Sequence, residues 1–169
     1  PHNGILYFTA INSETGRELW KTDGTSEGTS LIFETIEGEF NHQIVGINSI
    51  GEDLFFILRD FSAFKQYQLW RVSGSSDNVT LVKEFNDYPN SIIRHDGFIF
   101  ILADNSLWQS DGTAYGTEEI YQYPSPISPQ VAFSIGDKIM INVVLDRFDP
   151  QKGYEVWVSD GTAEGTNAV

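Results

Sequence analysis

Leu19-Trp20-Lys21-Thr22-Asp23-Gly24-Thr25-Ser26-Glu27-Gly28-Thr29 constrains the fold of this 169-residue chain more than any other stretch, because it returns three times. Two copies, from Leu107 to Thr117 and from Val156 to Thr166, keep the Trp, the Asp-Gly-Thr triplet and the later Gly-Thr pair. The remaining copy, Leu69-Trp70-Arg71-Val72-Ser73-Gly74-Ser75, is worn. Gly24, Gly74, Gly112 and Gly161 stand four residues after their Trp, and Gly28, Asn78, Gly116 and Gly165 stand eight after it. Gly and Asn tolerate positive φ most easily. Asp-Gly after a Trp-bearing apolar run reads as a tight reversal between antiparallel strands. Asp23, Asp111 and Asp160 are read as caps that accept from backbone N–H groups of the turn.

No stretch repeats apolar residues at helical spacing over three turns, and β-branched and aromatic runs alternate with Gly- and Asp-rich turns, so the chain reads as all-β. Strands are predicted at about 5–10, 18–22 and 29–36. The next unit has them at 43–50, 53–59, 67–73 and 79–85, the third at 91–95, 98–103, 106–110 and 117–123. The fourth has 130–135, 138–145, 154–159 and 166–169. Four antiparallel strands per unit is the rule, with repeat units at about 1–37, 38–88, 89–127 and 128–169 forming one propeller region. The Trp residues step by 50, 38 and 49 positions, averaging within the range of about 40 to 50 expected of four-stranded propeller blades. A meander with two apolar faces must stack on copies of itself, and radial stacking gives a β-propeller. Trp20, Trp70, Trp108 and Trp157 are the predicted wedges between blades.

Glu18-Leu19-Trp20-Lys21-Thr22-Asp23-Gly24-Thr25 followed by Gly28-Thr29 resembles the ELWxxDGTxxGT repeat, and the likeness covers essentially the whole chain. The resemblance implies propeller-like blades in large secreted or surface proteins of bacteria. The second copy departs from it with Ser73, Ser75 and Val79. The motif is also similar to the Asp-box of sialidase-type propellers, which implies a folding element and no catalytic role.

Composition removes several chemistries. Zero cysteines exclude disulfides, thiolate metal sites and Cys nucleophiles. A net charge of −14 repels phosphate backbones and anionic lipid, so neither nucleic acid nor membrane insertion is expected. The longest apolar runs, Leu54 to Leu58 and Phe98 to Ala103, fall far short of the roughly 20 residues a membrane helix needs. Pro1-His2-Asn3-Gly4 carries no leader character, so any signal peptide has been removed or lies upstream. His2, His42 and His95 lack a partner at zinc-helix spacing; His42 and His95 read as turn residues beside Asn41 and Asp96, so no Ser-His-Asp triad is expected. Asp146 and Asp149 are the best local oxygen ligands for a cation, without the Gly-centred loop of an EF-hand. Together with the repeated Asp of the hairpins they leave calcium as the one cofactor to test.

Recognition is expected in the loops that differ between units. Strand order places the second-to-third-strand loops and the links between units on one face, and the Asp-Gly-Thr hairpins on the other. The variable loops carry Arg59, Phe61, Phe64 and Tyr67, then Arg147 and Phe148, beside the Pro-rich Tyr123 to Pro126. Aromatics next to Arg are typical of contact surfaces. The expected function is a noncatalytic, secreted or cell-surface binding and adhesion module with a protein or glycan partner. A fragment of a glycan-acting propeller enzyme and a purely structural spacer are the alternatives. The first unit begins at the turn Asn3-Gly4 without an opening strand, and three residues follow Thr166. The expectation is an open arc, completed by further blades of a longer polypeptide or by a neighbouring chain.

Overall fold

A computed structural model describes residues 4–12, 16–34, 42–61, 64, 67–74 and 76–169. The sheets follow the chain in order. β1 (Leu6–Asn12), β2 (Gly16–Thr22) and β3 (Ser30–Phe33) form a three-stranded antiparallel sheet. β4 (His42–Ile50), β5 (Asp53–Asp60), β6 (Tyr67–Val72) and β7 (Val79–Phe85) form a four-stranded one. The third comprises β8 (Ser91–His95), β9 (Phe98–Ala103), β10 (Ser106–Ser110) and β11 (Thr117–Gln122). The fourth has β12 (Ser128–Ile135), β13 (Lys138–Val144), β14 (Tyr154–Ser159) and β15 (Asn167–Ala168), with a 3-10 turn at Pro150–Lys152 before β14. No helix among the described residues is long and apolar enough to cross a membrane.

The chain divides into two compact units, Pro1–Glu84 and Phe85–Val169. In the first, Leu19, Tyr7 and Phe33 pack against Leu54, Phe56, Leu58, Trp70 and Val72 of the second sheet. In the other, Phe100, Leu102, Leu107 and Tyr121 of the third sheet pack against Ile139, Ile141, Val143 and Trp157 of the fourth. Within each unit the earlier sheet thus offers the face holding the residue before its motif Trp to the Trp-bearing face of the later sheet. Apolar area leaving water on both sides of the contact is what holds such meanders together.

Trp70 and Trp157 each pack against aromatic rings of the preceding sheet. The Trp70 ring lies 4.9 Å from Phe33 of the preceding sheet and stacks over Phe56 at 6.3 Å. Trp157 sits 5.8 Å from Tyr121 and 5.3 Å from Tyr123, and Trp108 meets Phe85 edge-on at 5.8 Å. The receiving aromatics therefore recur thirteen or fifteen residues after the previous Trp, a spacing the sequence reading did not use. Trp20 is half-buried and donates its indole N–H to Glu18 Oε2 at 3.2 Å. Where burial leaves an indole N–H no water, a carboxylate, amide or carbonyl oxygen replaces it: Gln68 for Trp70, Ala103 for Trp108 and Glu155 for Trp157. A register shift immediately before Trp20, and another before Trp108, interrupts the ladder to the outer strand.

The three intact hairpins repeat one hydrogen-bond pattern. Asp23 Oδ1 accepts from Thr25 N at 2.9 Å and from Thr25 Oγ1 at 2.7 Å, as Asp111 does from Thr113 and Asp160 from Thr162. Those bonds, the side-chain one first, hold the carboxyls of Asp23 and Asp160 below the usual carboxylate range. The Thr Oγ1 then accepts from Gly28 N, Gly116 N or Gly165 N. Hydroxyl pairs Thr22 with Thr29, Ser110 with Thr117 and Ser159 with Thr166 close the strand ends at 2.6 to 2.8 Å. The first hydroxyl of each pair also accepts from Gly24 N, Gly112 N or Gly161 N.

Two glycine positions have different reasons. Gly24, Gly112 and Gly161 adopt φ of 96°, 90° and 88°, where a side chain is strained. The expectation that Gly28, Gly116 and Gly165 serve positive φ is corrected, since none of them adopts it. A Cβ on any of these three would fall within 3.0 Å of the capping Asp carboxylate. They are Gly because the cap folds over them. In the worn copy, Gly74 is not at positive φ either; its Cβ would collide with the Glu52 carbonyl oxygen. The left-handed residue there is Asp77, φ 56°, and not Asn78.

Candidate functional site: the Arg–aromatic loops

Within each sheet, antiparallel order puts the second-to-third-strand loop at the end opposite the Asp-Gly-Thr hairpin. In the first unit, Arg59 lies near the end of β5, paired across the ladder with Tyr67 on one side and Gln43 on the other. Its guanidinium carbon stands 4.4 Å from the Phe61 ring centroid and 5.6 Å from that of Tyr67. The structure therefore gathers three of the four predicted residues. Phe61 is half exposed, and Phe64, 93 % exposed, is turned out to solvent. Beside them lies a pair the sequence reading missed: His42 opens β4 opposite Asp60, with Nε2 3.4 Å from Asp60 Oδ2 and both residues buried. The reading of His42 as a turn residue is thus corrected. His42 Nδ1 and Arg59 Nε are buried without a hydrogen-bond partner among the described residues, so this end of the sheet holds unmet donor capacity.

The second unit repeats the arrangement in its β13–β14 loop. Arg147 stands 4.9 Å from the Phe148 ring centroid, and both are exposed. Asp146 anchors the loop: Oδ2 accepts from Lys152 Nζ at 2.6 Å and Oδ1 from Phe148 N at 2.9 Å. The ammonium first, then the backbone donors, hold its carboxyl below the usual range. Asp149 Oδ1 accepts from Gln151 N at 3.2 Å. The two carboxylates predicted as cation ligands thus serve as loop caps, one already neutralised by Lys152. Among the described residues, no three His, Asp or Glu side chains gather where one metal ion could reach them.

Arg147 also lines a pocket of about 40 Å³ with Asp87, Tyr88, Asn90, Asp104 and Asn105. Asp104 and Asn105 make the tight β9–β10 turn at φ of 52° and 59°, which Asp and Asn tolerate better than most residues. Both side chains are used there. Asp104 Oδ1 accepts from Asn86 N and Asp87 N, pinning the link between β7 and β8, and Asn105 Nδ2 donates to Tyr123 O. Asn105 Oδ1 is buried without a partner among the described residues. A space of this size holds a few water-sized groups. It suits one projecting polar group of a larger partner, not a whole small molecule.

His95 ends β8 and is buried, again no turn residue. Its Nδ1 lies 2.8 Å from Ser134 Oγ of β12, and Nε2 lies 3.8 Å from Asp96 Oδ2. Ser91 Oγ, which accepts from Ala132 N at 3.1 Å, and Asn90 Nδ2, which donates to Pro129 O, join the same two strands. The histidine is one strut in a row of polar ties between first strands.

No protein-family model matches the sequence, and no curated protein matches it. Solved structures do. A prolyl endopeptidase aligns with a TM-score of 0.68 at 12 % identity, over 98 % of this chain and 26 % of its own length. For puromycin hydrolase the values are 0.61, 14 %, 97 % and 26 %. The N-terminal domain of Nup159 aligns at 0.57 and 9 % identity, over all of this chain and 46 % of that one. This chain spans about a quarter of the length of the first two. Likeness at such identities is likeness of fold, and the fold is all-β of propeller type.

Proposed function

We propose that this chain is a noncatalytic binding module of a secreted or cell-surface protein, gripping a protein or glycan that bears carboxylates. The observation that carries the reading is the recurrence of an Arg against an aromatic ring in equivalent loops, Arg59 with Phe61 and Arg147 with Phe148. A guanidinium lying over a ring keeps its N–H edges available, and those edges match a carboxylate in bidentate geometry. On a chain of net charge −14 the exposed Arg147 is a local attractor for an anion. The setting is supported by the resemblance to ELWxxDGTxxGT repeats of bacterial surface proteins. A glycan array holding uronate- and sialate-bearing sugars beside their neutral counterparts tests it. Binding to the acidic members that falls at least tenfold in an Arg147→Ala, Phe148→Ala chain is the expected result. Hydrolysis of an arrayed sugar would favour an enzyme instead, and silence across both acidic glycans and acidic peptides would favour a spacer.

A further inference from the structure

Asp-Gly occurs at Asp23-Gly24, Asp96-Gly97, Asp111-Gly112 and Asp160-Gly161. The pair carries a latent reaction: the backbone nitrogen after Asp can attack the Asp Cγ and close a five-membered succinimide, and Gly has no Cβ to hinder the approach. In the three intact hairpins both reacting groups are tied. The attacking nitrogen donates to a hydroxyl, Gly24 N to Thr22 Oγ1, Gly112 N to Ser110 Oγ and Gly161 N to Ser159 Oγ, at 3.0 to 3.1 Å. The carboxyl it would attack is held by the N–H and O–H of Thr25, Thr113 or Thr162. Those bonds also keep Asp23 and Asp160 ionised to lower pH, and an ionised carboxylate is the poorer electrophile.

Asp96-Gly97 has neither restraint. The pair forms the two-residue turn between β8 and β9, at φ of 47° and 84° with His95 opposite Phe98, the positive-φ geometry that closes tight hairpins. Gly97 N has no acceptor among the described residues. The Asp96 side chain is 79 % exposed, and His95 Nε2, 3.8 Å from its Oδ2, stands beyond hydrogen-bond reach. We infer that Asp96-Gly97 is a site of spontaneous covalent modification, converting to isoaspartate while the three hairpin pairs are protected. Gly97 N bonds to Asp96 Cγ, and one water leaves, made of the carboxyl O–H and the Gly97 amide proton. A water molecule then opens the ring at the Asp96 backbone carbonyl and breaks its bond to Gly97 N. The main chain now runs through Cγ, and the former peptide carbonyl is a free carboxylate. The turn gains one backbone carbon next to His95, whose Nδ1 lies 2.8 Å from Ser134 Oγ, so conversion loosens that tie between β8 and β12.

Peptide mapping of the full 169-residue chain after prolonged incubation at mildly acidic pH, folded and in denaturant, tests this. Isoaspartyl peptides keep their mass but elute apart from the parent peptide, so deamidation at Asn3-Gly4, which changes mass, is told apart. In the folded chain, conversion at Asp96 is expected to run at least about tenfold faster than at Asp23, Asp111 or Asp160, because each hairpin must first give up hydrogen bonds. In denaturant the four rates should be similar. A chain with Thr22→Ala and Thr25→Ala frees Gly24 N and removes one bond to Asp23. Its Asp23-Gly24 rate should rise toward that of Asp96-Gly97 while Asp111 and Asp160 stay slow. Similar rates at all four pairs in the folded chain would overturn the inference. So would no conversion at Asp96 over a period in which the unfolded chain converts, or an unchanged Asp23 rate in the double variant. None of these readouts involves a ligand, so the outcome is separate from that of the glycan array.

Discussion

The hairpin from Asp111 to Thr117 and the one from Ser73 to Val79 close equivalent strands with different chemistry. The first is self-sufficient: Ser110, Asp111, Thr113 and Thr117 exchange bonds among themselves and satisfy Gly112 N and Gly116 N. In the second the hydroxyl pair has become Val72 and Val79, which join the apolar cluster of the first unit. Its turn borrows an acceptor. Gly74 N donates to Asp53 Oδ1 in the neighbouring turn at 3.1 Å, and Arg71 holds Asp53 Oδ2 through Nε at 2.8 Å and Nη2 at 2.7 Å. Asp77 meanwhile takes Lys21 of the first sheet. Losing the motif residues together did not lose the hairpin, because a polar turn can be exchanged for an apolar strand end plus a clamp to the adjacent turn. The local backbone demand is constant while its means of satisfaction are interchangeable.

The sharpest way to break this comparison is to add one methyl group to each hairpin. In Gly74→Ala the Cβ meets a backbone carbonyl, which cannot swing aside, and a loss of about 3 kcal/mol is expected, at the upper end of overpacking costs. In Gly116→Ala the obstacle is the Asp111 side chain; it can rotate away, sacrificing its cap for about 1 kcal/mol. Chemical denaturation of both variants decides the matter, and equal losses would mean that the two glycines serve the same purpose. The double change Asp111→Ala, Gly116→Ala should cost little more than Asp111→Ala alone.

A smaller effect is expected from copying half of the worn turn into an intact one. Ser110→Val leaves the buried Gly112 N–H without its acceptor, a cost of about 2 kcal/mol. The same chain with Thr117→Val added regains apolar contact but not the acceptor. It should therefore remain less stable than the native chain in thermal melts, because no equivalent of the Asp53 clamp has been supplied.

The smallest effect is electrostatic. Asp23 and Asp160 are held below their ordinary value of 3.8 in the folded chain. Their contribution is complete above that value and fades as pH falls through the lowered ones. Ser73 gives the worn hairpin nothing to titrate at that position. Replacing Asp23 and Asp160 by Ser should therefore flatten the fall in melting temperature between about pH 5 and about pH 3. An unchanged slope would remove the hairpin carboxylates from the acid response.

Much of the architecture was legible in the residues. The Trp spacing and the Asp-Gly-Thr reversal place every sheet in order, because hairpins form between neighbours in sequence and need only local information. Strand ends were less sharp: the loop expected from Ile11 to Arg17 is narrower, with β1 running to Asn12 and β2 starting at Gly16. The exchange of Thr22 with Thr29 for Val72 with Val79 was visible as a paired change, but nothing in the letters says that positions seven apart touch. The Arg–aromatic loops were found from composition; the His42–Asp60 pair was not, since its members are eighteen residues apart and meet only through the β4–β5 register.

By itself, then, the sequence determined the repeat, the strand order and the turn chemistry, all set by interactions within a few residues or between adjacent strands. Tertiary structure decided which glycines make room for a carboxylate instead of a positive φ and which aromatics receive Trp70, Trp108 and Trp157. Those depend on distances between atoms remote in the chain, and a pattern of residue types does not carry distance.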